Sequence, residues 1–346
     1  MVRVETVDGK LLVTGEQRVC TRCVLPESFP GIAFGESGVC SYCLDEGERI
    51  DNSRSVLDAA LGKATGAEWD DRSYDCVLLY SGGKDSSLAL VSLARDHGLR
   101  VLAMTLDNGF LAQATTHNMR AVVDAVGADH LLFRPHRKLM SGVYRTAMTT
   151  EMGPETIKYS TAACGSCIGL VFSVGIQIAS AHRVPLLAGG WTPGQMTTSA
   201  FVPTSFLREV ADRNLDPVKL ADPQLGPGLD LWTGPTVNEP LGLINPLYAT
   251  DYTEAGALEQ LREFGWVPPK ETDSCSTNCR LNSLLIVDHI NRHGFHPYVY
   301  EMAHHVRLGA LGRDEALAKL GDLGVAPATV SAVSVELGMP TLRISD

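Results

Sequence analysis

Eight of the nine cysteines in this chain fall in close pairs: Cys20/Cys23, Cys40/Cys43, Cys164/Cys167 and Cys275/Cys279. Paired thiols in a reducing compartment read as metal ligands rather than disulfides. The spacing Cys20-x2-Cys23-x16-Cys40-x2-Cys43 gives two knuckles whose four thiolates close a tetrahedron. Such a set makes a structural Zn2+ site, with no position left open for a substrate. A redox pair or free thiols is the alternative. Cys76 lies inside an apolar strand pattern and reads as a core residue.

The other chemical feature is Ser81-Gly82-Gly83-Lys84-Asp85-Ser86-Ser87, between the apolar run Cys76-Val77-Leu78-Leu79-Tyr80 and a helical pattern from Ser86 to His97. A loop of this kind gathers backbone N–H groups on one point at a helix N-terminus, where the helix dipole also favours an anion. Gly82 and Gly83 permit unusual backbone angles and close approach. The Ser81, Ser86 and Ser87 hydroxyls add donors, Lys84 balances phosphate charge, and Asp85 holds Mg2+ or positions the loop. A merely tight turn between strand and helix is the alternative. The segment does not match G-x-x-x-x-G-K-S/T, which weakens a kinase or GTPase reading.

The loop closely resembles the SGGxDS signature of the PP-loop (N-type) ATP pyrophosphatases, and the resemblance extends over most of the chain. Leu106-Asp107-Asn108-Gly109 matches that family's second strand end, and Leu187-Ala188-Gly189-Gly190-Trp191-Thr192 its later glycine-bearing strand end. Asn245-Pro246-Leu247 followed by Glu254 looks like the element closing the site. The resemblance implies ATP with Mg2+, with Asp107 and Gly189 beside the nucleotide. It implies transfer of AMP to a carbonyl or amide oxygen, release of pyrophosphate, and displacement of AMP by nitrogen or sulfur. Positioning and charge neutralisation supply most of such catalysis, so adenylation needs no protein nucleophile. Lys84 and Mg2+ then carry transition-state charge, and the loop amides orient the phosphates.

Two further resemblances divide the reading. The stretch from Cys20-Thr21-Arg22-Cys23 through Gly38-Val39-Cys40, and Val306-Arg307-Leu308-Gly309 with Arg313, are similar to the ends of the N-acetyl sugar amidotransferases. Cys164-Gly165-Ser166-Cys167, with Cys279 in Ser276-Thr277-Asn278-Cys279-Arg280-Leu281-Asn282, resembles the two-thiocytidine-type tRNA thiolases. That second resemblance implies that Cys164, Cys167 and Cys279 hold a 4Fe-4S cluster with one iron open to hydrosulfide. Cys275 is a further candidate ligand. A second four-cysteine zinc site, a persulfide or disulfide pair, and ordinary buried thiols are the competing readings.

The elements that must position these groups follow from periodicity. Short apolar runs at 76–80, 100–106, 131–133 and 184–188 alternate with helical stretches at 86–97, 115–126 and 167–182, the signature of a parallel sheet. The expected fold is α/β: a Rossmann-like parallel sheet of the adenine nucleotide alpha-hydrolase type, with an N-terminal zinc ribbon and a helical C-terminal region. Residues 1–56 form the zinc-ribbon module and linker, and 57–200 the PP-loop domain. Residues 201–240, rich in Pro, Gly and Asp and lacking a clean period, form an insertion or cover over the sheet's edge. Residues 241–346 supply the closing element and helices at 254–264, 281–293 and 313–323. A polar helix and linker occupy 44–70, and residues 46–49 read as a solvated face.

With 346 residues and 45% apolar composition, the chain can fill a sizeable core. Its net charge of −11 provides no field for a phosphate backbone, which disfavours tRNA and favours a small-molecule or nucleobase substrate. The N-terminus lacks an apolar leader and no run approaches the roughly 18 residues of a membrane span, so a cytoplasmic location without membrane contact is expected. His293, His296, His304 and His305 lack a nearby C-x-x-C partner and read as surface or core residues. The leading function is an ATP-dependent sulfurtransferase with a sulfur donor. A glutaminase-partnered amidotransferase, a tRNA thiolase and a non-catalytic zinc-ribbon adaptor are the alternatives. Resemblance to PP-loop enzymes also implies a homodimer.

Overall fold

The computed structural model describes residues 2–45, 54–64, 69, 72–196 and 199–340. Residues 46–49 and part of the expected linker lie outside the described residues. The chain opens with an antiparallel hairpin of β1 (Arg3–Val7) and β2 (Lys10–Thr14), turned by Asp8 and Gly9, both at positive φ. The main sheet contains β3 (Cys76–Leu79), β4 (Val101–Leu106), β5 (Asp129–Phe133), β6 (Leu186–Ala188), β7 (Phe201–Pro203) and β8 (Gly242–Ile244). Its spatial order is β5-β4-β3-β6-β8-β7, and only β7 runs antiparallel.

Around the strands lie α1 (Ser41–Leu44), α2 (Arg54–Lys63), α3 (Lys84–Val91), α4 (Gln113–Val126), α5 (Arg137–Thr149), α6 (Pro154–Tyr159) and α7 (Ala162–Ala181). The later helices are α8 (Thr204–Ala221), α9 (Gly226–Thr233), α10 (Glu254–Arg262), α11 (Leu281–His293), α12 (Val299–Leu308), α13 (Arg313–Gly321) and α14 (Pro327–Leu337). Successive side chains of a strand face opposite ways, and the two cores divide accordingly. Val77, Leu79 and Met104 pack with α5, α7, α8 and α11, whereas Cys76, Leu78, Tyr80 and Ala103 pack with α3, α4 and α10. Every position of β3, β4, β6 and β8 is buried, as a parallel sheet covered on both faces requires. Cys76 is the core residue expected of it.

Two expectations change. Residues 201–240, taken to lack a period, hold the edge strand β7 and the 18-residue helix α8. Leu207, Val210, Ala211, Asn214, Leu215 and Val218 form the buried face of α8, and the internal Pro217 obscures that pattern in the sequence. The sequence also holds a run of membrane-span length after all: within the 20-residue α7, an 18-residue stretch has a mean hydropathy of 1.8. Its apolarity has a local cause, since 67% of that stretch is buried, packed against the sheet and its neighbouring helices.

The site is positioned by strand order. After β3 the chain builds outward through β4 to β5, and after β6 it builds the other way, so the carboxyl ends of β3 and β6 flank a topological switch point. Gly190, just beyond β6, fits against the start of α3: a Cβ there would stand 2.4 Å from Ser86 Cα and 2.6 Å from Ser86 N. These are backbone atoms, which no rotamer change can move. Gly190→Ala is therefore expected to cost about 2–3 kcal/mol and to weaken nucleotide binding. Thermal unfolding and ATP titration check this against Gly153→Ala, where the added Cβ meets nothing within 4 Å.

Candidate functional site: a phosphate loop and four cysteines around one cavity

Cys20, Cys23, Cys40 and Cys43 place their sulfurs within 4.8 Å of one another. The Cys20–Cys43 and Cys23–Cys40 separations are 3.9 and 3.7 Å. Thiolates around a tetrahedral zinc at about 2.3 Å have this spacing, so the residues fit the ion. Backbone N–H groups of Arg22, Cys23 and Cys40 point at Cys20 Sγ from 3.3–3.4 Å, the local geometry of a knuckle. Hydrogen bonding from Cys40 holds the Cys23 thiol down at about 5, toward the thiolate a metal takes. The module docks on the C-terminal helices: Arg313 donates to Cys20 O and Cys23 O at 2.9 Å, and Phe29 stacks on Tyr300.

The SGGKDS loop runs from the end of β3 into α3, with Gly83 as the N-cap. Gly82 has φ +73°, and a Cβ on it would meet Met119 at 2.7 Å, so the turn admits glycine alone. The loop is held by its own hydroxyls. Ser81 Oγ and Ser86 Oγ lie 3.0 Å apart, and Ser86 Oγ donates to Gly83 O at 3.2 Å. Lys84 Nζ is buried 3.0 Å from Asp85 and 3.8 Å from Glu254, while the Tyr252 hydroxyl donates to the other Asp85 oxygen. Burial alone would push the Lys84 ammonium down. Asp85, with Tyr252, Glu254 and Glu301, overcomes it and keeps the pKa well above the usual lysine value.

A cavity of about 310 Å³ opens at the switch point. Ser81, Gly83, Asp85, Ser86 and Gly190 line it together with Cys164, Cys167, Cys275 and Cys279. The first turn of α7 presents Cys164 because the Thr161 side chain caps its amide at 3.2 Å. Each of three sulfurs has a polar neighbour. Asn108 Nδ2 donates to Cys279 Sγ at 3.2 Å and Tyr144 to Cys167 Sγ at 3.4 Å, while Cys164 Sγ faces Asn282 Oδ1 at 3.6 Å. Burial raises the Cys167 thiol to about 11 and pushes Cys164 and Cys279 up as well.

Among the described residues, the N-terminal four are the one group of three or more Cys, His, Asp or Glu with ligand atoms this close together. A second four-cysteine zinc site is therefore not formed as these sulfurs stand. One ion needs its ligands in contact, whereas a cubane spreads its cysteines over separate irons. Cys164, Cys167 and Cys279 are thiol donors of the kind that hold such a cluster.

Several positions differ from the sequence expectation. Asp107 is turned to Gly109 N at 2.9 Å and Arg134 at 3.4 Å, and its neighbour Asn108 lines the cavity instead. Lys84 is likewise absent from the cavity wall. A Cβ on Gly189 would stand 2.1 Å from the Trp191 ring, and Trp191 itself lines the cavity. Sequence reasoning missed Tyr144, Lys158 and Glu301, on helices α5, α6 and α12, and Tyr298, in the turn before α12; no local motif marks any of them. His296 and His304 are buried, and burial lowers them to about 3 and about 4.

No family model matches the chain. It is 22% identical over 249 residues to an uncharacterized protein of Methanocaldococcus jannaschii, covering 71% of this chain and 72% of the relative. Among solved structures it is similar to the U34-tRNA thiolase NcsA of Methanococcus maripaludis with its 4Fe-4S cluster. That match has 15% identity and a TM-score of 0.33, and covers 96% of this chain and 100% of the other. It is also similar to the NH3-dependent NAD synthetase of Campylobacter jejuni, with 12% identity and a TM-score of 0.31 over 63% and 96% of the two chains.

The tetrad yields a direct expectation. Metal analysis of purified protein finds zinc, and Cys23→Ser or prolonged chelation removes it. Because metal binding is folding free energy for such a module, the same treatments lower the unfolding midpoint and open the N-terminal segment to limited proteolysis.

Proposed function

We propose that this chain is an ATP-dependent sulfurtransferase. It adenylates a carbonyl or amide oxygen of a small molecule or nucleobase, releases pyrophosphate, and replaces AMP with sulfur. The observation that carries this reading is the shared cavity, lined both by the Ser81–Ser86 loop and by four cysteines. The amides of Gly83 and Lys84 and the Ser81 and Ser86 hydroxyls would hold the phosphates, and Asp85 would hold Mg2+. Cys164, Cys167 and Cys279 would hold the 4Fe-4S cluster, with Cys275 beside them. Bound there, the cluster supplies an open iron for hydrosulfide. Asn108 and Tyr144 orient two of its ligands, as outer-shell donors do for metal sites generally.

A second reading has its own observation. The N- and C-terminal segments that resemble N-acetyl sugar amidotransferases pack on one another, with Arg313 bonded to the carbonyls of Cys20 and Cys23. In that reading ammonia from a glutaminase partner is the nucleophile, and the central cysteines serve structure.

Anaerobically purified protein is expected to contain iron and labile sulfide and to absorb broadly in the visible range. Cys164→Ala and Cys279→Ala lose all three signals while still binding Mg-pyrophosphate. Absence of iron and sulfide from the wild type rejects the cluster. Ammonia-dependent AMP release with an N-acetyl sugar would decide for the amidotransferase.

A further inference from the structure

The cysteine loop and the phosphate loop meet at one side chain. Thr277 Oγ1 accepts a hydrogen bond from Lys84 N at 3.0 Å, and it lies 3.0 Å from where a Cβ on Gly83 would stand. Lys84 opens α3, so its amide is one of the donors that the helix leaves free and that a phosphate oxygen takes. A neutral hydroxyl from another part of the chain holds that donor instead.

Thr277 is presented by a braced segment. Cys275 N and Ser276 N both donate to Asp273 Oδ1, at 2.9 and 2.8 Å. On the other side, Asn278 O accepts from Ala112 N at 2.9 Å and from Thr115 Oγ1 at 3.0 Å, and Arg280 N donates to Phe110 O at 2.9 Å. The hydroxyl thus sits between Cys275 and Cys279 on a frame that fixes where it points. Anything that displaces it acts on the segment carrying both sulfurs.

We propose that Thr277 is a positioning residue that couples phosphate occupancy to the cysteine segment. Its hydroxyl holds the Lys84 amide, and an incoming phosphate oxygen displaces it and shifts the turn at 276–278. This rests on the phosphate-binding reading given above and deepens it. The exchange is one of acceptors on a single N–H, with no covalent bond made or broken. A charged phosphate oxygen is the stronger acceptor, so it wins the donor. The contact it must break makes binding weaker than it would otherwise be. The sulfur-bearing segment therefore adjusts when the activating nucleotide is in place.

The test is calorimetric titration of the full-length, metal-loaded protein with Mg-pyrophosphate. Thr277→Val is expected to bind about three- to tenfold more tightly than wild type, as loss of one competing hydrogen bond requires. Thr277→Ser restores wild-type affinity. In wild type, pyrophosphate changes the rate at which N-ethylmaleimide labels Cys275, and in Thr277→Val it does not. Equal affinity in Thr277→Val overturns the proposal. Weaker affinity also overturns it and makes the hydroxyl a phosphate ligand. Failure of the wild type to bind pyrophosphate at all rejects the phosphate-loop reading itself, so the two failures are told apart. Thermal unfolding accompanies each titration, and Thr277→Ala replaces the valine variant if that does not fold.

Discussion

Two stretches of backbone approach within van der Waals distance where Gly190 meets Ser86, and the site is built on that contact. It brings the end of β6 against the first turn of α3, so the two strands flanking the switch point share one crevice. With any side chain at Gly190, the loop after β3 and the start of α3 would have to separate from β6. The phosphate loop would then lose the wall that carries Trp191, Gly194 and Gln195. Gly82 imposes the matching demand from the other side, where Met119 and Thr115 close over the turn. Glycine is needed at both places for space as much as for backbone freedom.

The cavity joins two kinds of chemistry because α7 runs beneath the sheet with its first turn at the carboxyl ends of the strands. Helix α7 is apolar over most of its length, since α5, α8 and the sheet enclose it. At its N-terminal end Thr161 fixes Cys164 while Tyr144 meets Cys167. Cys279 arrives from the opposite direction on the segment leading into α11, held by Asn108. Cys279 is thus brought to the wall that carries Cys167 and Cys164, 112 and 115 residues earlier in the sequence. Each has its own hydrogen-bond support, which is the arrangement a preorganised site needs.

The parallel strands and the turn from β3 into α3 were legible because local pattern determines them: short apolar runs, a serine-glycine turn and a helical period in immediate succession. The N-terminal tetrad was legible from spacing alone, because both C-x-x-C pairs form knuckles without help from distant residues. Long-range packing set what the sequence hid. Helix α8 owes its place to α7, and Pro217 disguises its period. Asp107 and Asn108 are adjacent and both polar, and only the pairing of Asp107 with Arg134 decides which faces the cavity. Glu301 and Tyr298 enter the wall because α12 packs on the four-cysteine module, a relation no local window contains.

The four-cysteine module also bears on the order in which the molecule can be assembled. Cys23 and Arg313 are 290 residues apart, yet the guanidinium of one is bonded to the carbonyl of the other. Phe29 has ring partners nearby at Tyr42 and far along the chain at Phe295 and Tyr300. During synthesis the cysteine knuckles emerge well before Phe295, Tyr300 and Arg313, on which they pack. Contacts of such long sequence separation form late, after the entropy of closing the intervening loop has been overcome. The metal can organise the knuckles early, but the aromatic seam that joins the two ends acts as a clasp, closing only on a sheet already folded between them.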